Sequence, residues 1–513
     1  AILAQAILAQ VAISGQEAIV ARLPSTPDLR KRTGRNSRRM VERILFPVVP
    51  LWLLFIAVVV SFACSSRDGS IRAYIFADSI RVSRTIAHPF SSMQSEGVPG
   101  AGCTGPRESA LHGASQYNSS GCTEVIPHGR KVLLYGAMGR HNFGDMLMPW
   151  IVETMLQRRY GFCPDDFLHA DVAGADMRAY GGHLVIGVGS LFSNMYNGSL
   201  DVIFCGGETL QDISLNIAMG MFGRGFKACN ADDFMHRGHS LAYLLPKDKF
   251  AKPGLFIANT VGGPGTSIIN QSWFDHCTLR QNLHRAGYED CLAAPDSVIM
   301  INILFGESIS LRTNGLPMGR YFAWQFNTRV HFDDGFVDAI LAAARTNNVS
   351  IVMFRAGAAP GHDGLKPYEA MKSRLEKTDS SIAVTVFDGL NIWDISALIS
   401  RATLLISTSL HCRIIAFSFY VPRVTVVLGP NGTQVGGNKH FAFMRDWDGD
   451  WDYSNDAADA RIGLSIQEAL RPSSKVVFDN NTRRGVGIYE NVFKTWADSL
   501  HKHWKSHGRS GRQ

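Results

Sequence analysis

The chain has little net charge for its length, few cysteines and no signature that announces a bound cofactor. Its 513 residues include 51 Lys or Arg and 44 Asp or Glu, a formal charge of +7. Eight of those basic residues, against three acids, fall within residues 1–43, so the remainder is close to neutral. Binding to a nucleic-acid backbone needs a concentrated basic face, and nucleic acid is excluded as a partner. The nine cysteines include no Cys-x-x-Cys pair. Their spacing does not suggest a zinc cage, and no metal is expected. The Gly-rich turn at 136–144 does not have the spacing of a dinucleotide fingerprint, and no cofactor is expected.

What is present is an ordinary globular composition, 46% hydrophobic and 19% charged, and one uncharged run, Ile44–Ala63. Twenty helical residues span roughly 30 Å, the thickness of a bilayer's hydrocarbon core. Basic flanks stay cytoplasmic, so residues 1–43 read as a cytoplasmic tail, 44–64 as a transmembrane helix and the C-terminal bulk as lumenal. Six N-x-[ST] triplets, at Asn118, Asn197, Asn270, Asn348, Asn431 and Asn480, all fall on that side, as do eight of the nine cysteines. The expected setting is a single-pass type II protein of the Golgi membrane, where disulfides are permitted and their pairing is left open.

Residues 65–128 are rich in Ser and Gly and read as a flexible stem. From Lys131 short apolar runs alternate with amphipathic stretches. Strands are expected at Val132–Tyr135, Leu184–Val188, Val202–Cys205, Leu255–Thr260, Ser297–Ile303, Ser350–Phe354, Val384–Phe387, Thr403–Ser407 and Val424–Leu428. Helices are expected at Asp145–Tyr160, Thr209–Phe222, Phe332–Thr346, Ile392–Arg401, capped by Asn391, and Cys412–Tyr420. The alternation predicts an α/β fold of parallel sheets. The polar stretch 306–319 divides it into lobes 129–310 and 311–470, with a C-terminal tail at 471–513.

Three strand-to-helix turns carry chemistry. Gly136-Ala-Met-Gly-Arg-His-Asn142-Phe-Gly144-Asp145 opens a helix whose N–H groups favour anions. Asp201-Val-Ile-Phe-Cys-Gly206-Gly207-Glu208 permits close backbone approach and offers Glu208 as a base. Ser409-Leu-His411-Cys-Arg413 brings a histidine able to exchange protons near neutral pH and an arginine able to pair with phosphate. Two further clusters are the loop of Arg355, His362 and Asp363, a candidate sugar contact, and the run Asp446-Trp-Asp448-Gly-Asp450-Trp-Asp452. That run lacks the closing Glu of a calcium loop and is expected to be a solvated acidic loop.

Taken in order, these pieces resemble the polysaccharide pyruvyltransferase family over roughly 130–450. The matches are Asn142, Gly144 and Asp145; Asp201, Gly206 and Gly207; and Ser409-Leu410-His411 followed by Val421-Pro422. Leu279-Arg280-Gln281, Ala294-Pro295-Asp296-Ser297 and Lys439 stand where the family has its linking motifs, with Gln281 in place of Asp and Ser409 where many members carry Arg. The resemblance implies two Rossmann-like, GT-B-like lobes. It also implies transfer of pyruvate from phosphoenolpyruvate to a terminal hexose, galactose being the expected one, of a glycan acceptor. In that scheme Arg280, Arg413, Lys439 and Ser409 bind the donor, His411 is the general acid, and Glu208 or Asp145 takes the hydroxyl proton. A nucleotide-sugar glycosyltransferase of the same shape and a non-catalytic glycan-binding protein are the alternatives.

Overall fold

A computed structural model describes residues 130–508, except 189–190, 192–197, 208–212, 214, 222–241, 251, 263–270, 281–287, 314, 329, 360–362, 427–436, 450–453 and 456–460. The expected membrane span and stem lie outside these. Among the described residues no helix is long and apolar enough to cross a membrane.

The strands are β1 (Arg130–Tyr135), β2 (Phe167–Asp171), β3 (Ala175–Asp176), β4 (Leu184–Gly187), β5 (Ser199–Cys205), β6 (Pro253–Val261), β7 (His276–Leu279), β8 (Leu292–Ala293), β9 (Tyr321–Gln325), β10 (Ser350–Phe354), β11 (Val384–Phe387), β12 (Leu404–Ser407), β13 (Arg423–Val426) and β14 (Ser454–Asn455). They form an eight-stranded sheet ordered β3-β4-β2-β1-β5-β6-β7-β8 and a six-stranded sheet ordered β11-β10-β9-β12-β13-β14. Every pairing is parallel except β3 with β4. The helices are α1 (Phe143–Tyr160), α2 (Leu215–Gly220), α3 (Ile301–Ser310), α4 (Asp334–Thr346), α5 (Leu365–Thr378), α6 (Ile392–Ser400), α7 (Leu410–Ser418), α8 (Gly437–Phe443), α9 (Ile462–Ala469) and α10 (Pro472–Gly508).

The two-residue period of a strand sorts the core into layers. In β1, Val132 and Leu134 enter one apolar cluster while Leu133 and Tyr135 enter another on the opposite face. In β10, Val352 and Phe354 join the first of these clusters, while Ile351 and Met353 face a third. The first cluster is therefore shared by both sheets. It is filled by α1, α3, α6, α7 and the far half of α10, so the lobes are joined through one helical layer.

Two expectations are overturned. Ser297–Ile303 is not a strand but a 3₁₀ turn, Ser297–Met300, running into α3. Asp296 caps it, accepting from the Val298 N–H at 3.1 Å; a short apolar run alone does not separate strand from helix. Nor is 471–513 a tail, because α10 buries Phe478, Tyr489, Phe493, Trp496, Leu500 and Trp504 at helical spacing. The Tyr489 hydroxyl donates to Asn259 at 3.3 Å, and Trp504 Nε1 donates to Asp201 at 2.5 Å. Burial opposes the charge on Asp201, but His503, Arg130 and the Leu255 N–H outweigh it and hold that carboxyl below the usual range. The aspartate of the second motif thus anchors the C-terminal helix. Central strand β9, made of buried Tyr321–Gln325, was not anticipated either. Cys277 and Cys291 form a disulfide joining the β7 and β8 edges.

Candidate functional site

Ligands in open parallel sheets bind beyond the carboxyl ends of the strands, and here the carboxyl-end loops of the two sheets touch. The loop after β1 crosses to the loop after β10. Phe143 N donates to Ala356 O at 3.1 Å, Ala358 N donates to His141 O at 3.1 Å, and Asn142 bridges Gly357. Burial lowers the proton affinity of His141, whose Nε2 lies 2.7 Å from Leu390 O.

Beside this crossing, α1 and α7 meet head on. A Cβ on Gly144 would lie 1.9 Å from Cγ of His411 and 2.1 Å from its Nδ1, so glycine is what lets the imidazole rest on the helix start. Ser409 caps α7, its hydroxyl accepting from Cys412 N at 3.4 Å. His411 Nε2 stands 3.7 Å from Asp296 Oδ2, and Arg280 Nη1 reaches the same oxygen at 3.2 Å. Burial resists the charge on Asp296, but His411, Arg280 and Val298 N outweigh it, and the carboxyl titrates below the usual range. Arg280 is itself packed under Gly262, where a Cβ would come within 2.5 Å of Nη2. Gly207 O holds that turn by accepting from Gly262 N at 2.6 Å. Gly206 and Gly207 take φ of +58° and +71°, a region that side chains disfavour.

Asp145 follows Gly144 and accepts from Asn142 Nδ2 at 2.6 Å, with Arg140 Nη2 at 3.6 Å. Burial raises its proton affinity against the pull of His411, Arg140 and Arg280. Behind it, Asp171 at the end of β2 accepts from Gly139 N at 2.8 Å and Val172 N at 2.6 Å, and burial pushes it up to about 7.

The cations converge on a residue the sequence did not single out. His440, on α8 beside Lys439, is buried, and its proton affinity is driven far down by burial and then by Lys439, Arg413, Arg280 and His411. Arg280 and His411 meet at Asp296, and Lys439 lies on α8, which packs against α7 through Phe443 and Phe417.

Three expected roles are revised. Arg413 is turned into the second lobe, where Asp448 accepts from it and from Arg423. Burial disfavours the Asp448 charge, but Arg423 and Arg413 outweigh it and hold its carboxyl low. The acidic run is thus no solvated loop at Asp448, which is fully buried, and Trp447 is buried with its Nε1 donating to Arg280 O at 2.9 Å. Asp363 lies inside the fold, accepting from Gln325 Nε2 at 2.9 Å and Ala356 N at 3.0 Å, and burial raises it to about 6. It fixes the loop instead of facing a ligand. Glu208 and His362 fall outside the described residues. Asp296 and His440 were missed as site residues; the signal was there in the Pro-Asp turn and in the histidine next to Lys439.

No family model matches the chain, and no curated protein matches it. Among solved structures it is similar to UDP-GlcNAc 2-epimerase from Neisseria meningitidis, at 10% identity and a TM-score of 0.40 over 73% of this chain and 100% of that one. It is also similar to an O-GlcNAc transferase mutant from Thermobaculum terrenum, at 11% identity and 0.35 over 75% and 71%. Both scores fall below 0.5, and neither likeness bears on function.

Proposed function

We propose that the chain is a transferase that holds a small phosphorylated donor where the loops of the two lobes meet, and passes the donor's organic part to a sugar hydroxyl. The supporting observation is the meeting of Arg280 and His411 on one oxygen of Asp296 beside the start of α7, with Lys439 on α8, which packs against α7. A dense anion needs several cations and N–H donors at once. The donor that matches this charge density is phosphoenolpyruvate. The reaction is pyruvyl transfer to a terminal hexose, galactose in our reading, with release of phosphate.

In this scheme His411 gives a proton to the methylene carbon of the enol. Cationic character develops at C2, and a sugar oxygen bonds there. Asp145, whose burial strengthens its hold on a proton, takes the hydroxyl proton. The C2–O bond to phosphate then breaks and phosphate leaves, a second hydroxyl bonds to C2 as its proton passes back to the now basic His411, and the cyclic ketal closes. Asp296 positions His411 and Arg280 by standing against both. The second reading is a nucleotide-sugar glycosyltransferase, favoured by the two parallel-sheet lobes. Golgi placement and a type II anchor at 44–64 belong to the proposal; the Cys277–Cys291 disulfide and the exposed Asn348 and Asn480 support a lumenal setting.

Thermal shift of the full chain with phosphoenolpyruvate and with nucleoside diphosphates tests it, followed by phosphate release in the presence of a galactoside. Stabilisation and turnover with phosphoenolpyruvate sustain the proposal. Stabilisation by a nucleoside diphosphate alone transfers it to the second reading. A response to neither overturns both and leaves a glycan-binding protein.

A further inference from the structure

The first lobe holds a second cluster of chemistry-bearing side chains, apart from the Gly144–His411 contact. Glu153 lies in the middle of α1, His169 on β2 and His183 just before β4. His169 Nε2 is 2.9 Å from Glu153 Oε2, and His183 Nε2 is 3.8 Å from the same oxygen. One ligand atom from each residue lies within 4.8 Å of the other two. Eight residues along α1 separate Glu153 from Asp145, about 12 Å at 1.5 Å per residue, so this is not part of the donor site.

Two details point to a ligand. His183 Nε2 is buried and has no hydrogen-bond partner in the structure, although it is aimed at the Glu153 carboxylate. A buried polar atom normally finds a partner. The other Glu153 oxygen is already occupied, accepting from Gln157 Nε2 at 2.7 Å, which leaves Oε2 to face both imidazoles. A supporting hydrogen bond behind a ligating carboxylate is the usual arrangement at metal centres.

We propose that Glu153, His169 and His183 bind a divalent transition metal of the zinc class. The donor set is two imidazoles and one carboxylate, which suits zinc better than calcium or magnesium. Separations of 2.9 and 3.8 Å between donors bracket what bonds of about 2.0–2.2 Å to one ion need. Water completes the shell, because His169 retains some exposure. The three donors come from a helix, a strand and a turn 16 and 14 residues apart, a spacing with no resemblance to a zinc motif. That is why the sequence led to the expectation of no metal, which this proposal reverses.

The imidazoles now stack on each other, centroids 3.7 Å apart and 11° from parallel, and Trp150 stacks on His183 at 3.9 Å. Parallel rings must turn toward each other to share an ion. That turn alters the face Trp150 rests on, and Trp150 in turn touches Trp393 of the second lobe at 5.9 Å. The bound metal is therefore a clamp at the lobe junction, independent of the proposed donor.

The test is Co²⁺ titration of the chelator-stripped full chain, read by ligand-field absorption and tryptophan emission, with Zn²⁺ as competitor. One equivalent is expected to bind, Zn²⁺ to displace it, and Glu153→Gln, His169→Ala and His183→Ala each to weaken binding at least about 100-fold. His183→Phe keeps an aromatic ring against Trp150, so its native near-UV circular dichroism with loss of Co²⁺ binding separates ligand loss from misfolding. Absence of stoichiometric binding, or equal affinity in all four variants, overturns the site.

Discussion

Gly144 and His411 are packed so closely that a single added methyl group cannot be accommodated without moving the imidazole. A Cβ at 144 would lie 2.5 Å from the Cβ of His411 itself, so the clash is with the root of the side chain and not its tip. Gly144→Ala should cost about 1–3 kcal/mol, as overpacking does, and abolish stabilisation by the donor. His411→Ala alone should fold and lose turnover by at least about 100-fold. The double variant should recover most of the stability lost by Gly144→Ala and none of the activity. Urea midpoints for the four-membered cycle check this; additive losses would show that the two residues do not meet.

Arg280 and Lys439 should separate into two kinds of cation. Arg280 is 2% exposed and shares Asp296 with His411. Arg280→Met leaves that carboxylate short of a partner inside the fold and should cost roughly 3–5 kcal/mol along with all donor binding. Lys439 is half-buried on α8. Lys439→Ala should weaken the donor about tenfold and leave the thermal midpoint within a few degrees of wild type. Calorimetric titration with phosphoenolpyruvate beside a melting curve reads both effects.

The Asp448 cluster supplies the contrasting case. Two arginines, 413 and 423, converge on one buried carboxylate. Asp448→Asn removes the carboxylate charge that both arginines share, and about 3–5 kcal/mol should go with it. Chemical denaturation measures the loss. If Arg413 were a donor ligand instead, Asp448→Asn would change donor affinity more than stability.

Much of this architecture was legible in the residues. β10 at Ser350–Phe354 and β11 at Val384–Phe387 coincide with their apolar runs, and Asn391 does cap α6 by accepting from Trp393 N at 3.0 Å. The first and third turns could be recognised because in each an apolar run ends in glycine or polar residues before a helix begins, β1 before α1 and β12 before α7. What stayed hidden depended on tertiary partners. Asp448 reads as solvated in an acidic run and becomes buried only because Arg413 and Arg423 reach it. Asp201 reads as the opening residue of the Gly206–Gly207 turn motif and is taken by Arg130, His503 and Trp504. The α10 stripe carries its apolar residues among many charges, so its length and burial follow from the groove it fills.

Asp171 and Asp363 should take stability away as pH rises from about 4 to 7, while His141 and His440, whose proton affinity is lowered, act in the opposite direction. Asp171 is raised to about 7 and Asp363 to about 6, both by burial. A carboxyl whose folded pKa exceeds its unfolded value of about 3.9 binds more protons in the native state. Its contribution is complete below about pH 4 and is lost as pH climbs through the folded pKa. Asp201, Asp296 and Asp448 are shifted the other way, so their contribution is lost below pH 4, outside this window. For Asp171 a displacement of about three units corresponds to roughly 4 kcal/mol at most, at 1.36 kcal/mol per unit. Asp171→Asn keeps one oxygen to accept from Gly139 N or Val172 N and removes the titrating charge. The stability of wild type relative to Asp171→Asn should therefore shrink as pH rises from 4.5 to 7.5. Equal slopes in the two proteins would mean that Asp171 stays ionised in the fold, and that Arg140 neutralises it more fully than burial opposes it.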